Sequence, residues 1–242
     1  GLENTPADDI QKLIDTGFTF REVLDRPIKK VPSLTGKNIV NLFFENSTRT
    51  RISFELAEKR LSADVTNFSK SSSSLNKGEG LKDTIQNIHA MKIDGIVMRH
   101  PVPGSCQQLT QYVDSIVINA GDGAHEHPTQ AMLDLYTIIK ERGTIDNLNI
   151  GIFGDLKYGR TVYSLLYGLS NYNPTVYLIS PDLLQLRSDA LSDIREKSSI
   201  EQHSNLSDVI SKLDVIYTTR IQKERFPDIQ EYERVKGSYR ID

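Results

Sequence analysis

Disulfides are the first thing this sequence rules out. It carries one cysteine, Cys106, in 242 residues, so no bridge can close within the chain and a reducing compartment is expected. Long apolar runs are missing as well, since none approaches the roughly 18 residues a membrane-spanning helix needs. The start, GLENTPADDI, has neither a basic n-region nor an apolar h-region and does not read as a signal peptide. A strong charge of one sign is also absent. Lysines and arginines number 29 against 32 acidic residues, a formal charge of −3, which argues against nucleic acid as a partner. Neither G-x-G-x-x-G nor G-x-x-x-x-G-K-[ST] occurs, so no dinucleotide or nucleoside triphosphate loop is indicated. There is no internal repeat and no long low-complexity tract. The one biased patch, SKSSSSLNKGEG at 69–80, reads as an exposed loop. A soluble cytoplasmic protein with no membrane partner is the expectation.

What is present suits a packed core. Hydrophobic residues make up 38% and charged residues 25%, and the length allows two domains. Short apolar runs at 37–44, 94–98, 115–121, 149–155, 175–180 and 214–220 read as strands. They are almost continuously apolar, as strands buried on both faces of a parallel sheet are. Helical spacing lies between them. Phe54, Ala57 and Leu61 fall on one stripe, as do Leu81, Ile85 and Ile88, and then Met132, Leu135, Tyr136 and Ile139 before a closing Gly143. The alternation predicts an α/β fold of two domains, each a mostly parallel sheet flanked by helices. The break is expected at GTIDNLN, 143–149, giving domains 1–145 and 146–242. The active site is expected in the interdomain cleft.

Chemistry concentrates where these strands end. FFENSTRTRISFE, 43–55, places Ser47, Thr48, Arg49 and Thr50 between a strand and a helix. A helix start exposes unpaired N–H groups and a positive dipole end, and it can be capped by a hydroxyl or cradle a phosphate. Arg49 adds a planar fork that fits phosphate oxygens two at a time. The plainer reading is a capped helix with a solvated arginine. VMRHP leaves Arg99 and His100 at another strand end, and NAGDGAHEHPTQ supplies Gly121, Gly123, His125, His127 and Gln130 at a third. Arg160 in FGDLKYGRT and Arg220 in TTRIQKERF follow two strands of the second half. Arg220 could equally be a surface member of the charge run RIQKER. His125 and His127 have the His-x-His spacing of some zinc sites. Pro128, favoured at the first helical position, breaks the strand that would aim both imidazoles one way. No thiol cluster or acidic residue completes the pattern, so no metal and no cofactor are expected.

Five stretches, FFENSTRTR, VMRHP, NAGDGAHEHPTQAMLDLYTI, GDLKYGRTVYSL and TRIQKERF, stand in the order found in the transcarbamoylase family. The chain resembles that family over nearly its whole length, and within it the aspartate-directed catalytic chains. STRT and HPTQ are general to the family, and RIQKER points to aspartate as acceptor. The Ser-Met-Gly motif of ornithine-directed relatives is absent. The resemblance implies that Ser47, Thr48, Arg49 and Thr50 bind the phosphate of carbamoyl phosphate and that Arg99, His127 and Gln130 hold its carbamoyl group. Ser73 and Lys77 would reach a neighbouring subunit's site in a homotrimer with shared active sites, Lys77 also touching the aspartate. Asn76 stands where some relatives carry lysine. Arg160, Arg220 and Gln222 would hold the aspartate carboxylates. Arg49, Thr50, Arg99 and His127 would be the catalytic set. Regulatory chains are possible partners. The family's chains continue past VKGSYRID to a His-Pro-Leu-Pro motif and a C-terminal helix, so an incomplete acceptor half is expected within these residues. The implied activity is carbamoyl transfer from carbamoyl phosphate to L-aspartate, in pyrimidine biosynthesis. Its alternatives are another acceptor amino acid, a non-catalytic binding or assembly homologue, and a zinc hydrolase.

Overall fold

The computed structural model describes residues 1–69, 81–221, 223 and 226–237. Two compact units are present, one formed by Asp15–Thr129 and the other by Gly1–Ile14 with Gln130–Asp242. Each is built on a four-stranded sheet in which every pairing is parallel. The helix α1 (Ala7–Asp25) and the helix α5 (Pro128–Arg142) run across the two divisions. The turn 143–149 separates α5 from the next strand, whereas the compact units divide within α5 itself.

In the first unit the chain runs β1 (Asn38–Phe43), α2 (Thr48–Arg60), β2 (Asp64–Ser69), α3 (Leu81–Ala90), β3 (Gly95–His100), α4 (Ser105–Leu109) and β4 (Ile116–Asp122). The sheet order is β2-β1-β3-β4. Alternate side chains of the central strands feed two layers, as a pleat requires. Leu42, Ile96 and Met98 pack on one face with Ile85, Cys106 and Leu109. Phe43, Val97 and Ala120 pack on the other with Phe54. Near-continuous apolar strands thus did mean burial on both faces for β1 and β3. The edge strand β4 departs from this, with Ile116 71% and Ile118 37% exposed.

The second unit continues with β5 (Asn149–Phe153), α6 (Arg160–Leu169), β6 (Thr175–Ile179), α7 (Ser188–Arg195), β7 (Ser199–His203), β8 (Val215–Thr218) and α8 (Ile229–Val235). Its order is β7-β6-β5-β8. Ile150, Ile152, Val176 and Ile179 are fully enclosed, and α6 is buried along most of its length.

Several local expectations are corrected here. The strands β2 and β7 carry no continuous apolar run, because both are sheet edges buried on one face at most. The stripe expected on α2 is broken. Phe54 and Leu61 are half-buried, Ala57 is exposed, and the one buried residue of the helix is Glu58. Glu58 Oε2 accepts from Asn41 Nδ2 at 2.8 Å, and burial raises its pKa above the ordinary carboxyl value. On α5, Leu135 is enclosed as expected, together with Ala131 and Ile138. Gly143 closes that helix, its N–H donating to Ile139 O at 2.8 Å. No helix among the described residues is long and apolar enough to cross a membrane.

Candidate active site

Open parallel sheets bind ligands outside the carboxyl ends of their strands, where successive connections part to opposite sides. In the first sheet that point lies between β1 and β3, and in the second between β5 and β8. Of the predicted residues that are described, Ser47, Thr48, Arg49, Thr50, Arg99 and His127 stand at or after strands of the first sheet, and Arg160 and Arg220 follow strands of the second.

In the first unit, Ser47 is the N-cap of α2 in extended conformation, and its side chain does not cap the helix. Its Oγ donates to Thr50 Oγ1 at 2.9 Å instead. The plain capping reading is therefore not how this hydroxyl is used. The first turn leaves the N–H groups of Thr48, Arg49 and Thr50 without an intrahelical partner, and Arg49 is exposed. Arg99, paired in register with Phe43, is buried. Its Nη2 donates to Glu45 Oε1 at 2.5 Å and its Nη1 to Ala120 O at 3.1 Å. One guanidinium thus spans the ends of β1, β3 and β4. His100 packs edge-on against Phe44, with ring centroids 5.2 Å apart. Its Nδ1 lies 3.1 Å from the Val102 N and 2.8 Å from Ser105 Oγ.

The loop after β4 is organised by Asp122, 2% exposed. Its Oδ1 accepts from Asn119 Nδ2 at 3.0 Å and from Glu126 N at 3.1 Å, and its Oδ2 accepts from Gly104 N at 2.8 Å. His125 Nδ1 lies 3.1 Å from Oδ2. The acidic partner of His125 is thus a loop-building carboxylate. His125 is turned onto Asp122 and solvent, whereas His127 is 8% exposed and directly precedes Pro128, the first residue of α5. Gly123 sits at φ +57, and a Cβ there would come within 2.6 Å of Pro101 O. The loop can close over 101–103 only with glycine at this position.

In the second unit, Arg160 opens α6 and is 3% exposed. It is therefore seven residues past β5, and a helix start rather than a strand end. The intervening loop is held by Asp155, whose Oδ1 accepts from the N–H groups of Lys157 and Tyr158 at 3.2 and 2.9 Å. Lys157 Nζ pairs with Glu231 Oε1 at 2.7 Å, and that hydrogen bond lowers Glu231 and raises Lys157 from their ordinary pKa values. Arg220 is exposed two residues beyond β8. Thr219 fastens that strand end to β5, its N–H donating to Phe153 O at 2.8 Å and its Oγ1 to Asp155 O at 3.2 Å. Arg160 and Arg220 are thus brought to the same end of adjacent strands. Gln130, third residue of α5, donates from Nε2 to Asp134 Oδ1 at 2.9 Å.

Ser73, Lys77 and Gln222 lie outside the described residues. Sequence reasoning did not single out Glu45, Asp122, Asp134 or Asp155. Glu45 stood inside the quoted motif and Asp122 inside the glycine-rich loop, so their positions beside motif residues were the available signal. Cys106 is no nucleophile in this setting, since burial and the Asp122 charge push its thiol up to about 12.

Residues 1–140 match the family model described as the carbamoyl-P binding domain of aspartate/ornithine carbamoyltransferase, and residues 146–242 match its Asp/Orn binding domain. The chain belongs to the aspartate/ornithine carbamoyltransferase family. Among its relatives in that family is the aspartate carbamoyltransferase catalytic subunit of Nitrosopumilus maritimus. It is 52% identical over 214 residues, covering 88% of this chain and 69% of the relative. The catalytic subunit of M. jannaschii aspartate transcarbamoylase has a similar structure, with a TM-score of 0.87 and 45% identity, covering 98% of this chain and 78% of that one. The Trypanosoma cruzi aspartate transcarbamoylase solved with carbamoyl phosphate gives a TM-score of 0.92 at 38% identity, covering 100% and 78%. The carbamoyltransferase fold of two four-stranded parallel sheets is common ground between them and this chain.

Proposed function

We propose that this chain transfers the carbamoyl group of carbamoyl phosphate to the amine of L-aspartate, giving N-carbamoyl-L-aspartate and phosphate for pyrimidine biosynthesis in the cytoplasm. The observation that carries the reading is chemical. Arginines follow the strand ends of both sheets, with Arg49 in the first turn of α2, Arg99 in β3, Arg160 at the start of α6 and Arg220 just past β8, and the last two match in number the two carboxylates of aspartate. In this reading residues 1–145 bind the donor and residues 146–242 bind the acceptor.

Carbamoyl phosphate is an activated mixed anhydride, so position and charge suffice for transfer without a covalent enzyme intermediate. Ser47, Thr48, Arg49 and the α2 N-terminus hold the phosphate. Thr50, Arg99 and His127 polarise the carbonyl and stabilise the oxyanion that develops on it. Gln130 contacts the carbamoyl amine. Arg160, Arg220 and Gln222 hold the aspartate carboxylates, and the two planar cations disfavour a cationic acceptor such as ornithine. The departing phosphate accepts the proton from the attacking amine. Holding amine and carbonyl together can lower a barrier by about 7–11 kcal/mol in favourable cases.

The direct test is a colorimetric assay for carbamoyl-aspartate with ornithine as control acceptor. Product with aspartate and none with ornithine is expected. Tight binding of N-(phosphonacetyl)-L-aspartic acid without turnover would instead favour a non-catalytic binding homologue, and carbamoyl-ornithine would overturn the acceptor.

Ser73 and Lys77 are assigned to a neighbouring subunit's site in a homotrimer, to which regulatory chains can attach. Mixing Arg49→Ala chains with Lys77→Ala chains should then restore activity, because some sites in a mixed trimer receive both native residues. No recovery in mixed trimers verified by native mass spectrometry would count against shared sites.

A further inference from the structure

Gln130 is held from behind by a carboxyl group that has no place in the chemistry above. Gln130 Nε2 donates to Asp134 Oδ1 at 2.9 Å, one turn further along α5. The Tyr217 hydroxyl, on β8, faces the same carboxyl, and Thr161, next to Arg160 on α6, acts on Tyr217 in turn. Asp134 Oδ2 is buried and has no well-formed hydrogen bond among the described residues. Burial pushes Asp134 up to about 6, against the Gln130 and Tyr217 donors that pull it down. Burial, and next the Asp134 charge, push Tyr217 up. A carboxyl whose charged form is disfavoured by its surroundings does not serve stability.

Near neutral pH the Asp134 carboxylate has acceptors only. It therefore takes the NH₂ end of the Gln130 amide and leaves the carbonyl Oε1 facing the other way. We propose that Asp134 is a positioning residue that fixes the Gln130 amide with Oε1 presented to the carbamoyl NH₂ of the donor, and that Tyr217 keeps Asp134 in place. This inference rests on the carbamoyl-transfer reading. It gives the site a means of telling carbamoyl phosphate from acetyl phosphate, which has a methyl group where the donor has NH₂. An amide free to turn over would present its own NH₂ half the time, against a like donor.

Calorimetric binding of carbamoyl phosphate and of acetyl phosphate to the full chain tests it. Asp134→Asn should weaken carbamoyl phosphate about tenfold, the size of one hydrogen bond, and acetyl phosphate less than twofold. Its Tm should equal or exceed the wild type, since an uncharged side chain sits there more easily. Gln130→Met should show the same discrimination, and the double variant should be no worse than Gln130→Met alone. Equal weakening of both phosphates, or additive losses in the double variant, overturns the inference. Should Asp134→Asn not fold, Tyr217→Phe is read the same way, with about a threefold selective loss expected, and no selective loss overturns the inference. Wild-type protein that binds no carbamoyl phosphate overturns the transfer reading and this inference together. Wild-type turnover with unselective variants overturns this inference alone.

Discussion

Arg49→Ala is expected to lower kcat/KM by roughly 10²- to 10⁴-fold while leaving the fold unchanged. The estimate follows from two charge-assisted hydrogen bonds lost from the phosphate, each worth about 1.5–3 kcal/mol, with about 1.4 kcal/mol per factor of ten. The fold should survive because Arg49 is exposed, two residues past the N-cap of α2, and alanine is the better helix former. Arg99, by contrast, is built into the carboxyl end of the central strand β3 through Glu45 and Ala120, so its removal would mix structural and catalytic losses. Arg49→Lys should recover part of the loss, since a point charge replaces the attraction but not the two-pronged geometry. Steady-state kinetics and a melting curve check both variants. Wild-type kinetics in Arg49→Ala would remove the donor site from this helix.

The second large effect lies in the other sheet. Gly154 follows β5 at φ +117, and a Cβ there would lie 2.3 Å from the Thr219 carbonyl oxygen. Both atoms belong to backbone at the ends of paired strands, where Gly154 N also donates to Ile179 O at 3.0 Å. Neither side can yield without breaking the ladder. Gly154→Ala should cost about 3–5 kcal/mol, combining a left-handed backbone penalty with overpacking. That corresponds to a fall in Tm of roughly 10 °C or more. Thr219 immediately precedes Arg220, so surviving enzyme should bind aspartate poorly while binding carbamoyl phosphate normally. A melting temperature within a degree or two of the wild type would show that this strand junction is more compliant than its geometry states.

The legibility of the site varied with the kind of residue. Arg49, Arg99 and Arg220 could be picked out because each follows an apolar run that must be a strand. An apolar run is a local signal, complete within six or seven residues. Arg160 was placed near a strand end but opens a buried helix, since the Asp155 turn delays the start of α6. Glu58 was hidden because a carboxylate in mid-helix reads as solvated. It is buried only because Asn41, 17 residues earlier on β1, supplies its donor. The strands β2 and β7 escaped notice because an edge strand enclosed on one side needs few apolar residues.

By itself the amino-acid order determined which segments are apolar enough to be sheet centre, where glycine and proline punctuate them, and which cations and hydroxyls stand at those breaks. Only the folded chain decided which strand lies beside which, and with that the pairing of Arg99 with Glu45, the four contacts that the Asp122 carboxylate gathers, and the seat of Gln130 on Asp134. The physical reason is range. Periodicity and turn chemistry act between near neighbours in sequence, whereas a buried charge finds its partner across 54 residues for Arg99 and Glu45, a distance that nothing in the local pattern encodes.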